Sequence, residues 1–226
     1  MRILLLSACL VVVLARADEL EVARDRQDRG ALQNRVDQMA VVAEKRAGDA
    51  EAQYRLALGE SYLAGVAMEL KDKNQARAAA ETGIRAAERA VALRPNSSEF
   101  HRVLGTLCGQ VIPANVLLGL RYGKCAQEEI KKAIDLDPKS ASAYLSRGVG
   151  NYYLPPALGG GLESAVSDFQ KAIQLDPKLA EAHLWLGIAL RKANRNREAR
   201  AALTRALELN PGRVWARQQL EKTPAQ

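Results

Sequence analysis

One phrase in this chain of 226 residues is written twice, and it constrains the fold more than any other feature. Lys132-Ala133-Ile134-Asp135-Leu136-Asp137-Pro138-Lys139 returns as Lys171-Ala172-Ile173-Gln174-Leu175-Asp176-Pro177-Lys178, and each copy runs into an Ala-rich stretch. Looser copies flank the pair, from Arg89 to Pro95 before it and from Arg205 to Pro211 after it. A helix that stops at Pro and restarts at an interval cannot bury its apolar stripe alone, so it must stack on copies of itself. The expected fold class is all-α, a solenoid of helical hairpins. Composition agrees: 48% of residues are hydrophobic but only 4% aromatic, so Ala, Leu, Val and Ile carry a core suited to close helix packing.

The first residues read as a processing signal. Met1 and Arg2 form a positive start, and Ile3 to Ala15 is an apolar run too short to span a bilayer. Ala15-Arg16-Ala17 then gives a small-x-small cleavage pattern, which predicts a signal peptide over 1–17 and a mature chain that begins at Asp18 and is exported, periplasmic or secreted. Leu6-Ser7-Ala8-Cys9 resembles a bacterial lipobox, and lipid on Cys9 is the route by which the chain would be membrane-anchored, peripheral contact being the other. Loss of residues 1–17 removes Arg2 and Arg16 and no acid, which leaves 31 basic against 26 acidic residues. That mild excess, without interleaved aromatics, argues against a nucleic-acid binder.

Residues 18–49 show helical spacing at Leu32, Val36, Met39, Ala40 and Ala43, and read as a helical cap or degenerate half-repeat ending at Gly48-Asp49. The most regular unit comes last: His183-x2-Leu186-Gly187-x2-Leu190, then Ala199-x3-Leu203-x2-Ala206-x4-Pro211. Gly on one helix and Ala on its partner let two antiparallel backbones approach, and larger side chains a turn away interlock around them. On these residues the chain resembles the tetratricopeptide repeat family. The resemblance implies a right-handed alpha-alpha superhelix, with four repeats over 50–211 (50–97, 98–140, 141–179 and 180–211) and a capping helix and tail over 212–226. The third unit shows Tyr144, Gly148, Ala165, Phe169, Ala172 and Pro177, with Arg147 where the family usually has Leu. The second shows His101, Gly105, Cys108, Ala126, Ile130 and Ala133, and the first Gly59, Gly83, Ala87, Ala90 and Pro95.

The interval from the close-packing Gly to its partner grows from 12 residues in the last unit to 17, 21 and 24 toward the N-terminus. The excess falls inside each hairpin and therefore on one rim. Pro155 to Gly161 reads as a loop, whereas in the first and second units the paired helices are expected to lengthen. Such long, unequal hairpins resemble a subset of exported bacterial tetratricopeptide proteins, including periplasmic solute-transport accessory components and the regulator-of-microtubule-dynamics type.

Motifs for catalysis and metal binding are sparse. His101 and His183 occupy equivalent packing places without a carboxylate cluster, the sequence has no His-Glu-x-x-His or Cys-x-x-Cys, and Gly159-Gly160-Gly161 lacks the Lys of a phosphate loop. No cofactor and no enzymatic activity are expected. Cys108 and Cys125, on paired helices, either form a disulfide or remain two buried thiols. The family resemblance implies that the first helix of each hairpin lines a concave face, and counting along that face gives a candidate binding groove of Arg102, Gln110, Leu145, Val149, Tyr152, Tyr153, Leu184, Ile188, Arg191 and Lys192. Its apolar C-terminal strip ends in two cations, which suits a protein or peptide partner with an acidic segment. The basic run from Arg191 to Arg217 is either a solvated face or a second attraction for an acidic partner or anionic lipid headgroups. The functional expectation is an exported, non-enzymatic scaffold for protein–protein interaction. The alternative is a periplasmic solute-handling accessory that binds a small or elongated amphipathic ligand; the oligomeric state is left open.

Overall fold

The computed structural model describes residues 19–114 and 116–225. The signal-peptide and Cys9 expectations lie outside the described residues. Helix α1 covers 19–25 and is followed by α2 (Arg29–Lys45), α3 (Ala50–Glu69), α4 (Lys73–Leu93), α5 (Ser98–Val111) and α6 (Gly119–Leu136). Then come α7 (Ala141–Tyr153), α8 (Leu162–Leu175), α9 (Ala180–Lys192), α10 (Asn196–Leu209) and α11 (Val214–Glu221). Among the described residues there is no β-strand. The all-α solenoid stands: α3/α4, α5/α6, α7/α8 and α9/α10 form hairpins, and the first helices α3, α5, α7 and α9 stand side by side.

Local sequence sets the boundaries. Asp28, Asp49, Asp72, Ser97 and Ser140 cap α2, α3, α4, α5 and α7, each side chain accepting from a backbone N–H of the first turn. The second helices stop just before Pro95, Pro138, Pro177 and Pro211. Three tight hairpin turns share one geometry. Gln27, Lys71 and Asn194 take positive φ (55°, 65° and 61°), and the next N–H, of Asp28, Asp72 and Arg195, bonds back to the carbonyls of Ala23, Ala67 and Leu190. The α1/α2 turn is thus built like those of full repeats, and α1 and α2 form a leading hairpin.

Glycine marks the close approaches. A Cβ on Gly105, Gly148 or Gly187 would lie 2.8 Å from Ile130, 2.6 Å from Phe169 or 2.5 Å from Leu203, each on the partner helix of the same hairpin. Gly59 differs. Its Cβ would meet Val36 and Met39 of α2, both at 3.2 Å, so it faces the preceding hairpin and is not the first unit's close-packing residue. The close approach of α3 and α4 falls one residue later, at Glu60, whose Cβ would lie 2.9 Å from a Cβ on Gly83.

The insertions resolve into three solutions. Helices α3 and α4, of 20 and 21 residues, are each about two turns longer than α9 and α10, of 13 and 14. In the second unit α5 does not lengthen: two 3-10 turns, Ile112–Ala114 and Val116–Leu118, take up most of the excess, and only α6 gains a turn. In the third, the loop turns through Gly159 (φ 86°) and Gly161 (φ 107°), positions that residues with a Cβ resist. Gly161 N–H closes the loop onto Asn151 O at 2.9 Å.

The core is continuous through α1–α6, centred on Leu32, Val36, Leu63, Val66, Leu107 and Val111, and continues C-terminally around Phe169, Leu184 and Leu203. Cys108 and Cys125 are joined as a disulfide, Cα atoms 6.0 Å apart, tying α5 to α6 below the 3-10 turns. Arg147 does not pack as a Leu would. It lies over Tyr144 and forks onto buried Asp168 of α8 at 2.6–3.1 Å, with Asn151 Nδ2 completing the carboxylate at 2.8 Å.

Candidate functional site

The ten residues proposed from sequence for the groove part company in three dimensions. Leu184 and Ile188 are 1% and 4% exposed and pack on Leu203, Ala206 and Ala216, so they are core and offer nothing to a partner. A helix turns about 100° per residue, and the assignment was one residue out: Trp185, next to Leu184, is the residue that reaches the neighbouring first helices. Arg102 and Gln110 are spent on internal bonds. Arg102 donates from Nε and Nη2 to Glu99 at 2.7 and 2.5 Å, and Glu99 also accepts from Tyr54 Oη at 3.0 Å. Burial alone would raise the Glu99 carboxyl, but those donors outweigh it and hold it below the ordinary range. Gln110 exchanges two bonds with Ser61 of α3. Arg191 donates to Gln219 O and Oε1 of α11 at 3.1 and 2.6 Å. Leu145 and Val149 are half-buried against the cluster of Phe169 and Leu190.

Tyr152, Tyr153 and Lys192 remain, and the structure adds Trp185 and Trp215 to them. Trp185 is the hub. Its ring stands edge-on to Tyr152 (5.8 Å), Tyr153 (6.3 Å) and Trp215 (5.2 Å), and stacks beside Phe169 (6.3 Å). Tyr152 and Tyr153 meet at right angles at 5.0 Å. Lys192 Nζ sits 4.3 Å over the Tyr152 ring, a cation–π contact, while Tyr153 is 54% exposed. Withdrawal from water within the ring cluster raises both the Tyr152 and Tyr153 hydroxyls, so both phenols are neutral donors at ordinary pH. The result is an aromatic platform across α7, α9 and α11 with one cation on its edge. Its signal in the sequence was available: both tryptophans of the chain lie in the last two elements of the first-helix row and its cap.

Most of the basic run beyond Arg191 is consumed within the molecule. Arg195 pairs with Glu198 and Arg205 with Glu208, Arg200 donates to the carbonyls of Leu220 and Thr223, and Arg217 donates to Pro211 O. Arg213 is buried. It donates from Nε to Glu181 (2.7 Å), from both terminal nitrogens to Glu69, and from Nη1 to Arg24 O. Asp25 lies 3.8 Å away and accepts from Asn210 Nδ2, while Gln27 bridges Glu69 and Gln218. Burial would lower the Arg213 pKa, but Glu181 and Glu69 outweigh it and the guanidinium stays charged. Through this network the α1/α2 turn meets the last turn and α11, and the array closes on itself.

The histidines hold turns. His101 Nε2 lies 2.8 Å from Pro95 O and His183 Nε2 3.1 Å from Pro177 O, the same relation in two repeats. His101 Nδ1 also meets the Glu129 carboxylate at 2.5 Å, a partner that sequence spacing did not reveal. Among the described residues no group of three or more His, Cys, Asp or Glu is placed to hold a metal ion, and no helix is long and apolar enough to cross a membrane.

Comparison with known proteins agrees with the fold. A tetratricopeptide-repeat crystal structure, TTC0263 from Thermus thermophilus, superposes with a TM-score of 0.63 at 21% identity, covering 92% of this chain and 97% of that one. YrrB, described as a TPR protein with an unusual peptide-binding site, gives 0.46 at 19% identity (86% and 93% covered), and MamA from Desulfovibrio magneticus gives 0.46 at 20% (87% and 98%). No curated protein sequence matches the chain. The tetratricopeptide repeat family matches over residues 160–220, and the family described as Regulator of microtubule dynamics protein 1-3 matches over residues 13–154, more than half of the chain. The chain is thus a tetratricopeptide-repeat protein and belongs to the regulator of microtubule dynamics protein 1-3 family.

Proposed function

We propose that the protein is an exported, non-enzymatic scaffold that binds an extended peptide of a protein partner across the aromatic platform of α7, α9 and α11. The observation that carries this reading is the Tyr152–Tyr153–Trp185–Trp215 cluster, with Tyr153 half in solvent and Lys192 fixed on its edge. Aromatic rings give large, rigid contact area at small entropic cost, and the neighbouring ammonium favours an acidic residue in the bound segment. Export is supported by the character of residues 1–17 and by the Cys108–Cys125 disulfide, which persists in oxidising compartments.

Panning a random peptide display library on the folded protein tests the site. Wild type should enrich peptides with an apolar anchor next to Asp or Glu. A Tyr153→Ala, Lys192→Glu variant should lose that enrichment while unfolding at the same temperature, since both side chains are exposed. Enrichment of the same peptides by the variant removes the platform as the site. N-terminal mass analysis of protein recovered from the producing cell tests export, with Asp18 expected as the first residue.

A further inference from the structure

Glu60 is the one buried carboxylate whose chemistry the fold leaves unanswered. It is 5% exposed, yet no hydrogen bond or ion pair reaches it among the described residues. Its stem is fixed: a Cβ on Gly83 of α4 would lie 2.9 Å from Glu60 Cβ and 2.6 Å from Leu107, so α4 closes directly over it. Glu60 lines a cleft of about 150 Å³ between α2, α3 and α4, together with Leu63, Ala78 and Ala79 and the polar Gln33, Gln75 and Thr82.

The nearby charges are committed elsewhere. Arg85 of α4 donates to Glu81 O and Thr82 Oγ1, Asp37 of α2 accepts from Gln33, and Arg29 of α2 pairs with Asp72 and Gln75. Arg85 attracts Glu60 from a distance but makes no ion pair with it, and a carboxylate largely withdrawn from water is costly to ionise without a direct partner. We infer that the cleft is a binding site for a primary ammonium group on a short alkyl stem. The ammonium has three donors and no acceptor, and Glu60, Gln33 and Thr82, whose side chains carry acceptor oxygens, are among the residues that line the cleft. The stem would lie on Leu63, Ala78 and Ala79. An open cleft of about this size has room for the five heavy atoms from Cβ to Nζ of a lysine side chain. A divalent metal fits poorly, since one carboxylate with neutral amides and a hydroxyl is a weak donor set. Burial pushes the Glu60 carboxyl up to about 7, Asp37 adding to the rise and Arg85 opposing it, so ammonium binding should strengthen as pH rises.

The test is titration of the folded chain with n-butylammonium and, as the neutral control, 1-butanol, followed by calorimetry and by the Glu60 carboxyl NMR shift. Wild type should saturate in the millimolar range, as expected of so small a ligand, at least about tenfold more tightly at pH 8 than at pH 5, with the Glu60 resonance moving. Butanol should bind at least about tenfold more weakly, Glu60→Gln should lose the preference for the amine, and Ala79→Leu should fill the cleft and abolish both. Capped lysine amide separates the two sources of such a group. Binding as tight as butylammonium assigns the cleft to a partner's lysine side chain, and exclusion of the capped form assigns it to a free amine. Equal affinity for amine and alcohol, unchanged amine binding by Glu60→Gln, or no saturation by about 100 mM would overturn the inference.

Discussion

Arg213, the residue before α11, forks onto Glu69, the last residue of α3, across 144 residues of chain. Both side chains are almost wholly buried, at 4% and 7% exposure, and Glu181 and Asp25 complete the surroundings of the guanidinium. Removing one member of such a network strands the others away from water. Arg213→Ala should therefore destabilise the fold by about 3–5 kcal/mol in urea unfolding. Arg213→Lys should recover only part of that, because an ammonium cannot reproduce the fork. A loss of less than about 1 kcal/mol for the alanine variant, the size of an exposed pair, would show that closure of the array carries little weight.

Two glycines in neighbouring first helices should respond to alanine with opposite sign. At Gly187 a Cβ would lie 2.5 Å from Leu203 Cγ and 3.0 Å from the Ala199 carbonyl, so the α9/α10 hairpin must open; a cost of about 1–3 kcal/mol is expected. At Gly150, inside α7, nothing lies within 4 Å, and alanine should stabilise by up to about 1 kcal/mol through helix propensity. Thermal unfolding of the two variants decides, and a shift in the same direction for both would remove the close-packing role given to Gly187.

The hairpins from α5 to α10 were legible because their information is local. Pro95, Pro138, Pro177 and Pro211 end helices wherever they fall, and Gly105, Gly148 and Gly187 each answer to a residue of the same hairpin. The closure was not legible. Arg213 meets Glu69 only after every intervening hairpin has added its rotation, and the four-residue spacings that reveal a helix say nothing of that sum. Leu184 and Ile188 lie in the core rather than on the groove for a finer reason. Leu184 and Trp185 are adjacent in sequence, but one points into the core and the other across the first helices, and periodicity counted in turns cannot fix a phase of one residue.

The Cys108–Cys125 bond closes a loop of sequence separation 17 that contains both 3-10 turns. Constraint of the unfolded chain by a loop of this length contributes about 3 kcal/mol. Urea unfolding of the same protein with and without reductant leaves every other contact unchanged, and the reduced form should be less stable by about that amount. Equal midpoints would mean that the pairing does not restrict the unfolded ensemble, or that the two sulfurs are not joined in solution; thiol titration of denatured, unreduced protein tells these apart.

Glu60 should leave a signature in the pH dependence of stability that its substitution erases. Burial is the main cause of its raised pKa, with Asp37 adding to the rise and Arg85 opposing it, and the carboxyl titrates at about 7 in the folded chain. The unfolded value is about 4.3. A carboxyl whose folded pKa is raised is protonated in the native state over a range where the unfolded chain has already ionised. Its contribution is fully present below about pH 4 and is lost as pH climbs through 7, with a span of roughly 4 kcal/mol at most, less to the extent that water enters the cleft. Glu69 is also raised by burial and Glu99 is lowered, so the slope of wild type alone mixes several groups. The difference between wild type and Glu60→Gln isolates one. Measured by urea unfolding at pH 5 and pH 8, that difference should move against wild type at the higher pH, because the glutamine carries no charge to bury. Parallel pH profiles for the two proteins would show that Glu60 reaches water in the folded state, and would leave its burial under Gly83 without an energetic consequence.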